Sequence, residues 1–344
     1  MRATIRDVAA RADVSTATVS RAMRSEAGVD PATRDRVLAA ARDLRYRPSG
    51  VARSLKLRAT RTLGLIITDI ENPYFPQVVR AVEDAARERG YSVLLADGRR
   101  DLSREVESLE ILSERRVDGI LVASSALTAH HRRWLAESPC PVVILNGESP
   151  LPDVPAVLSD NVAGGRLQAE HVLSLGHRHL CYIAAPEAGY VAVRERLAGV
   201  RAAVMAASLV PDALRVIEGD GRAEGGARAA REALGLWPST TALLCYNDLT
   251  AVGALGGLRA LGLWIPDDVS VVGFDDIDMA PFVDPPLTTV RQATDVIGRW
   301  AVDQLVKAIV SGEPSVSVVE RVPVRIVVRS STAAALASAA RPQA

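Results

Sequence analysis

The 344-residue chain is about half apolar and a quarter charged, the balance of a globular protein and not of a disordered or collagen-like one. No apolar run reaches the length of a membrane span and the N-terminus lacks an apolar signal core, so a cytoplasmic location is expected; three scattered cysteines suit reduced thiols. The net charge of zero hides a division: residues 1–61 carry 14 Lys and Arg against 6 Asp and Glu, and the remainder carries 27 against 35. A basic head on an acidic body points to a polyanionic partner for the head.

In chain order, Thr4-Ile5-Arg6-Asp7 has the form of a capping box. Ile5, Val8, Ala9 and Ala12 follow at helical spacing. Asp13 suits the left-handed turn that ends this helix. Ser15 is a second N-cap, and Thr16 to Met23 form a second short helix. Asp30-Pro31 starts a third, with Val37, Ala40, Ala41 and Leu44 on one face. Two short helices joined tightly and followed by a third describe a helix-turn-helix unit, residues 1–46. The second helix is rich in hydroxyls, which weaken helix interiors. A recognition helix explains them: small polar side chains approach base edges closely, and Arg21 can fork onto guanine.

Residues 47–60 are basic and short of apolar partners. Val51, Ala52 and Leu55 share a face, which suits a small helix that is marginal alone. From residue 61 to 330, apolar runs alternate with helical patterns. The runs include 63–67, 93–95, 119–122, 142–145, 180–183, 243–244 and 269–272, and the helical patterns include 76–89, 102–115, 161–175, 192–207 and 248–261. That alternation predicts α/β architecture with parallel sheets, and the length predicts two lobes. Ligands in such sheets bind beyond the carboxyl ends of strands, where Asp69, Asn72, Asp97, Ser124, Asn146, Asp160, Asn247 and Asp275 fall here. The small-residue tail, 331–344, is expected to be disordered.

The stretches "TIRDVAARADVSTATVSRAM" and "RVLAAARDLRYRPSGVARSL" closely resemble the DNA-binding head of the LacI/GalR family of bacterial transcription regulators. The resemblance continues through "DIENPYF", "VDGILVASS", "LSDNVAGG", "LGHRHLCYIA", "RLAGV", "CYNDLTAVGAL", "GFDDID" and "PPLTTVRQ". It implies a two-lobed body similar to periplasmic sugar-binding proteins. It also implies a hinge helix whose Leu55 wedges into the minor groove of operator DNA. Asp13 stands where the family often has Gly, Arg24 where it often has Asn, and Ser49-Gly50 where it usually has Asn and a bulkier residue.

The residues expected to meet DNA are Ser15, Thr16, Ala17, Thr18, Ser20, Arg21, Arg24 and Tyr46 in the head and Ala52 and Leu55 in the hinge. The resemblance implies an effector cleft lined by Tyr74, Ser124, Asp160, Tyr190, Arg196, Asn247, Asp275 and Gln292. Arg196 can fork onto two oxygens, Asp275 and Asn247 can bond hydroxyls, and a tyrosine can cover a ring face. Asp160 and Asp275 could instead be helix N-caps. A single cation in that set favours a neutral sugar over an acidic ligand.

The overall expectation is a homodimeric, ligand-responsive repressor of pseudo-palindromic double-stranded operator DNA. No cofactor, metal or membrane partner is expected. The alternatives are a cytoplasmic α/β enzyme and a solute-binding protein. "EGDGRAEGG" (218–226) misses a dinucleotide fingerprint by one position. His177, His179 and Cys181 alternate on a strand without a fourth metal ligand. The tail carries no leucine heptads, so no tetramer is expected.

Overall fold

In the computed structural model, residues 3–23, 27–46, 59–124, 127–186, 190–312 and 318–335 are described. The chain forms two units, divided between Thr60 and Arg61.

The head holds helices α1 (Ile5–Ala12), α2 (Thr16–Met23) and α3 (Pro31–Asp43). The capping box is complete: Thr4 Oγ1 accepts from the Asp7 N–H, and the Asp7 carboxylate accepts from the Thr4 N–H at 2.8 Å. Asp13 ends α1 with φ 51°, so aspartate does fill the left-handed position. Ser15 Oγ accepts from the Thr18 N–H at 3.1 Å and starts α2. Asp30 caps α3, whose first residue is Pro31. Val8, Ala12, Val19, Ala22, Val37 and Ala41 close one small core. Residues 47–58 of the proposed hinge, with Ala52 and Leu55, lie outside the described residues.

The body contains two six-stranded sheets. The first runs β11-β5-β4-β3-β1-β2, with β1 Thr62–Ile67, β2 Ser92–Asp97, β3 Gly119–Ala123, β4 Val142–Leu145, β5 Ala156–Ser159 and β11 Val319–Val322. The second runs β12-β10-β9-β8-β6-β7, with β6 Leu180–Ala184, β7 Leu214–Glu218, β8 Ala242–Cys245, β9 Ser270–Asp275, β10 Thr288–Arg291 and β12 Arg325–Val327. Its helices are α4 (Tyr74–Glu88), α5 (Leu102–Glu114), α6 (Ala129–Ala136), α7 (Asn161–Ser174), α8 (Val191–Ala206), α9 (Ala223–Leu236), α10 (Asp248–Arg259) and α11 (Thr294–Ser311). Each sheet is one lobe. The chain passes between lobes after β5, after β10, and between β11 and β12. Central strands are buried along their length, which is why their sequences are continuous apolar runs.

The sheets are parallel as expected, with one antiparallel pair at an edge, β12 with β10. One expectation needs correction. Residues 331–335 are not a loose tail. Ser331 is fully buried; its Oγ donates to the Val271 carbonyl at 2.6 Å and accepts from the Thr288 N–H at 2.8 Å. The Val271 N–H donates to the Ser331 carbonyl, and the Ala335 N–H to the Leu175 carbonyl, each at 2.8 Å. Small side chains let this segment lie against the sheet and satisfy backbone groups that a bulkier tail would leave bare.

Candidate effector cleft and DNA-facing helix

On α2, Val19 and Ala22 are buried, while Thr16, Ala17 and Arg21 are exposed with Ser15 before them. Thr18 and Ser20 are half-buried, and Thr18 Oγ1 lies 2.9 Å from Ser15 Oγ. Two apolar anchors thus hold the helix and leave its small polar face free. Tyr46 is half-buried against the head core, so its ring is partly a packing element. Arg24 lies outside the described residues.

A cavity of about 260 Å³ lies between the two lobes of the body. Lobe 1 supplies Thr68, Asn72, Tyr74, Phe75, Arg100 and Asn146 from the ends of its strands and the start of α4. Lobe 2 supplies Tyr190, Arg196, Asp220, Tyr246, Asn247 and Asp275, while Ser159, Asn161 and Gln292 come from the crossovers. Tyr74 and Phe75 stand edge to face, centroids 5.4 Å apart, and form the aromatic wall.

The same cavity has a polar pole. Arg196 is 5% exposed; its guanidinium lies 3.6 Å from the Phe274 ring centroid and 4.8 Å from that of Tyr246. Its Nε donates to Asn161 Oδ1 at 2.9 Å and Nη1 to the Tyr246 carbonyl at 2.8 Å, with Asp275 Oδ1 at 3.7 Å. Gln292 Nε2 donates to Asp275 Oδ1, and Ser159 Oγ to Gln292 Oε1, each at 2.6 Å. Asp275 and Asp276 have φ of 129° and 59°, unusual for residues with a Cβ. Behind the turn, Asp248 accepts from the Ile277 N–H at 2.9 Å and from Thr289 Oγ1 at 2.5 Å. Asp276 pairs with Arg291 and with Arg329. Burial pushes the Asp275 carboxyl well above its ordinary range; Arg196 opposes this and Asp248 adds to it. Burial likewise raises Tyr74, which stays a neutral phenol donating to Asn146 Oδ1 at 2.8 Å.

The matching family model for the head, that of bacterial regulatory proteins of the lacI family, covers residues 4–49, and a periplasmic binding protein-like domain model covers 169–332. The ribose operon repressor of Escherichia coli K12 is 37% identical over 89% of this chain and 93% of its own. The HTH-type transcriptional repressor PurR of Photobacterium profundum is 36% identical over 89% of this chain and 92% of its own. The chain belongs to the LacI family of bacterial transcriptional regulators. Its fold matches the lac repressor dimer bound to operator and the anti-inducer ONPF, with TM-score 0.87 and 28% identity over 97% and 100% of the two chains. It also matches a LacI family regulator from Enterococcus faecium with bound ribose, at TM-score 0.72 and 30% identity over 80% and 99%.

Within this LacI-family body, Tyr74, Tyr190, Arg196, Asn247, Asp275 and Gln292 meet at one cavity. Ser124 and Asp160 are not among its lining residues. Ser124 is buried at the end of β3, and Asp160 caps α7, its Oδ1 accepting from the Ala163 N–H at 2.9 Å. Asn247 is also a cap: Oδ1 accepts from the Thr250 N–H, and Nδ2 donates to the Gly221 carbonyl. Sequence reasoning read Asn72 and Asn146 only as polar residues after strands, and missed Thr68, Phe75, Arg100, Ser159, Asn161, Asp220 and Tyr246 as lining residues. Most of these adjoin a residue or strand end that was noted. Arg100 lies three positions beyond the end of β2, and its placement depends on two successive left-handed residues, Arg99 and Arg100 at φ 54° and 59°.

Of the near-fingerprint glycines, Gly226 serves packing, together with Gly253 of the next helix. A Cβ on Gly226 would sit 2.2 Å from the Thr250 carbonyl oxygen, and one on Gly253 1.8 Å from that of Ala223, so these glycines let α9 and α10 touch. His177 bonds Thr241 and the Ala333 carbonyl, and Cys181 is buried, so "HRHLC" is spent on lobe 2 and the terminal segment.

Proposed function

We propose that this LacI-family chain is a cytoplasmic, non-catalytic, homodimeric repressor whose affinity for pseudo-palindromic operator DNA is set by a small neutral sugar held between the lobes. One observation carries the ligand class: the Asp275–Arg196–Gln292 pole and the Tyr74–Phe75 pair line one small cavity. That pairing suits a ring with hydroxyls on its edge and C–H groups on its face. Each lining arginine has an acidic neighbour, Arg196 with Asp275 and Arg100 with Asp69 at 3.3 Å, and Asp220 also lines the cavity. A volume of about 260 Å³ falls just under the range of drug-sized sites, roughly 300–1,000 Å³, and fits a monosaccharide. The ribose operon repressor and the ribose-bound regulator make D-ribose the first candidate.

Dimerisation is supported by edge strand β2, where the adjacent Leu94 and Leu95 are 42% and 46% exposed. A bare apolar edge is a liability unless a second copy covers it. The exposed face of α2 and the basic head support operator binding, two heads reading two half-sites.

The test is thermal unfolding of the full chain with D-ribose, cellobiose or adenine. A ligand at 100 times its Kd stabilises by about 2.7 kcal/mol. A shift with adenine alone would overturn the sugar assignment.

A further inference from the structure

Glu195 and Arg196 are neighbours on α8 but face different tasks. Arg196 reaches the cavity, whereas Glu195 reaches lobe 1, where Arg321 of β11 grips it: Nη1 donates to Glu195 Oε2 at 3.1 Å and Nη2 to Oε1 at 2.9 Å. Arg321 Nη2 also meets Glu148 Oε1 at 3.2 Å. The two tasks meet at the amide of Asn161. Its Oδ1 accepts from Arg196 Nε at 2.9 Å, and its Nδ2 donates to Glu195 Oε2 at 3.4 Å and to the Ser159 carbonyl at 3.1 Å. The amide orientation is forced: a guanidinium N–H needs an oxygen, and a carboxylate needs a donor.

Asn161 is 2% exposed and opens α7 directly after the β5 crossover. Arg321 pairs in register with Leu158 on that same β5. The helices carrying Asn161 and Arg196 are in backbone contact: a Cβ on Gly165 would lie 1.9 Å from the Arg196 carbonyl oxygen, and one on Gly199 2.0 Å from that of Val162. They cannot slide past one another, so a shift at Arg196 is handed to Asn161.

We propose that Asn161 and the Glu195–Arg321 bridge are positioning residues that couple occupation of the Arg196 pole to the relative orientation of the lobes. A bidentate guanidinium–carboxylate pair is strict in geometry, so it holds one orientation and releases others. A ligand that draws Arg196 toward itself turns the shared amide and re-aims Glu195, biasing that two-state contact. This inference rests on the proposed effector function of the cavity.

The test uses the full chain with D-ribose, cellobiose and adenine as probes. It measures probe affinity and the ratio of operator affinities with and without probe, at fixed ionic strength. The wild type is expected to show a ratio of about 5- to 150-fold. Arg321→Met and Glu195→Gln should bind the probe within about 3-fold of wild type while the ratio collapses toward 1, and Arg321→Lys should keep part of it. Variants that keep the full ratio would overturn the inference alone. Variants that lose probe affinity and ratio together would assign the bridge a merely structural role and also overturn it. A wild type that responds to none of the probes would overturn the functional reading, and the inference with it.

Discussion

Replacing Asp275 by Asn tests the effector pole with the least change in shape. Asp275 is 3% exposed; Oδ1 already accepts from Gln292 Nε2 and lies 3.7 Å from Arg196 Nη1. An asparagine oxygen can keep the Gln292 bond, but the second oxygen becomes a donor. A ligand hydroxyl then loses an acceptor on a carboxyl that burial keeps largely protonated at neutral pH, a neutral bond worth roughly 0.5–1.5 kcal/mol, or about 2- to 13-fold in affinity. Isothermal titration with D-ribose measures the loss, and operator binding without ligand should stay unchanged. A second readout concerns pH. The folded-state pKa is raised from the ordinary 3.8, so this group's contribution to stability is fully present below that value and is lost as pH rises through the folded value. The wild type should therefore lose stability above the ordinary carboxylate range, and Asp275→Asn should show a shallower slope. A variant that binds sugar as tightly as wild type, with the same pH slope, would refute the reasoning for Asp275.

Three further predictions follow from separate parts of the molecule. Arg21→Ala should relax preference at one base of each half-site, at a cost of about 1–3 kcal/mol, and selection of bound sequences from a random pool checks it. Ser331→Ala removes a buried hydroxyl that serves both the Val271 carbonyl and the Thr288 N–H, so unfolding by urea should show a loss of about 1–3 kcal/mol; a neutral result would return 331–335 to a loose tail. Leu94→Lys with Leu95→Lys should yield monomers by light scattering, since edge lysines block pairing along β2.

Much of the architecture was legible because buried parallel strands are written as unbroken apolar runs. Leu63–Ile67 and Val142–Leu145 have no polar face to disguise them. The head was legible through its caps: Thr4, Ser15 and Asp30 each start a helix where a side chain can accept a backbone N–H. Short or polar strands were harder. Thr288–Arg291, Val319–Val322 and Arg325–Val327 owe their state to partners far away in sequence. The same divide runs through the site. Residues directly after strands were readable, yet position alone did not separate a lining residue from a cap. Asp160 caps α7, and its neighbour Asn161 turns inward to Arg196. The tail from 331 to 335 misled because it has no large apolar residue; its order comes from hydrogen bonds of its backbone and of the Ser331 hydroxyl, which leave little compositional mark.

The central claim is that one chain joins a DNA-binding head to a sugar-responsive body. The most direct measurement is titration of an operator selected by the full chain, with and without saturating D-ribose, over a range of salt. Operator affinity should fall steeply with salt, with a log–log slope of about −0.9 for each phosphate neutralised. Adding sugar should shift it by about 5- to 150-fold. Binding that ignores salt, or sugar that binds the body and leaves operator affinity unchanged, would contradict it.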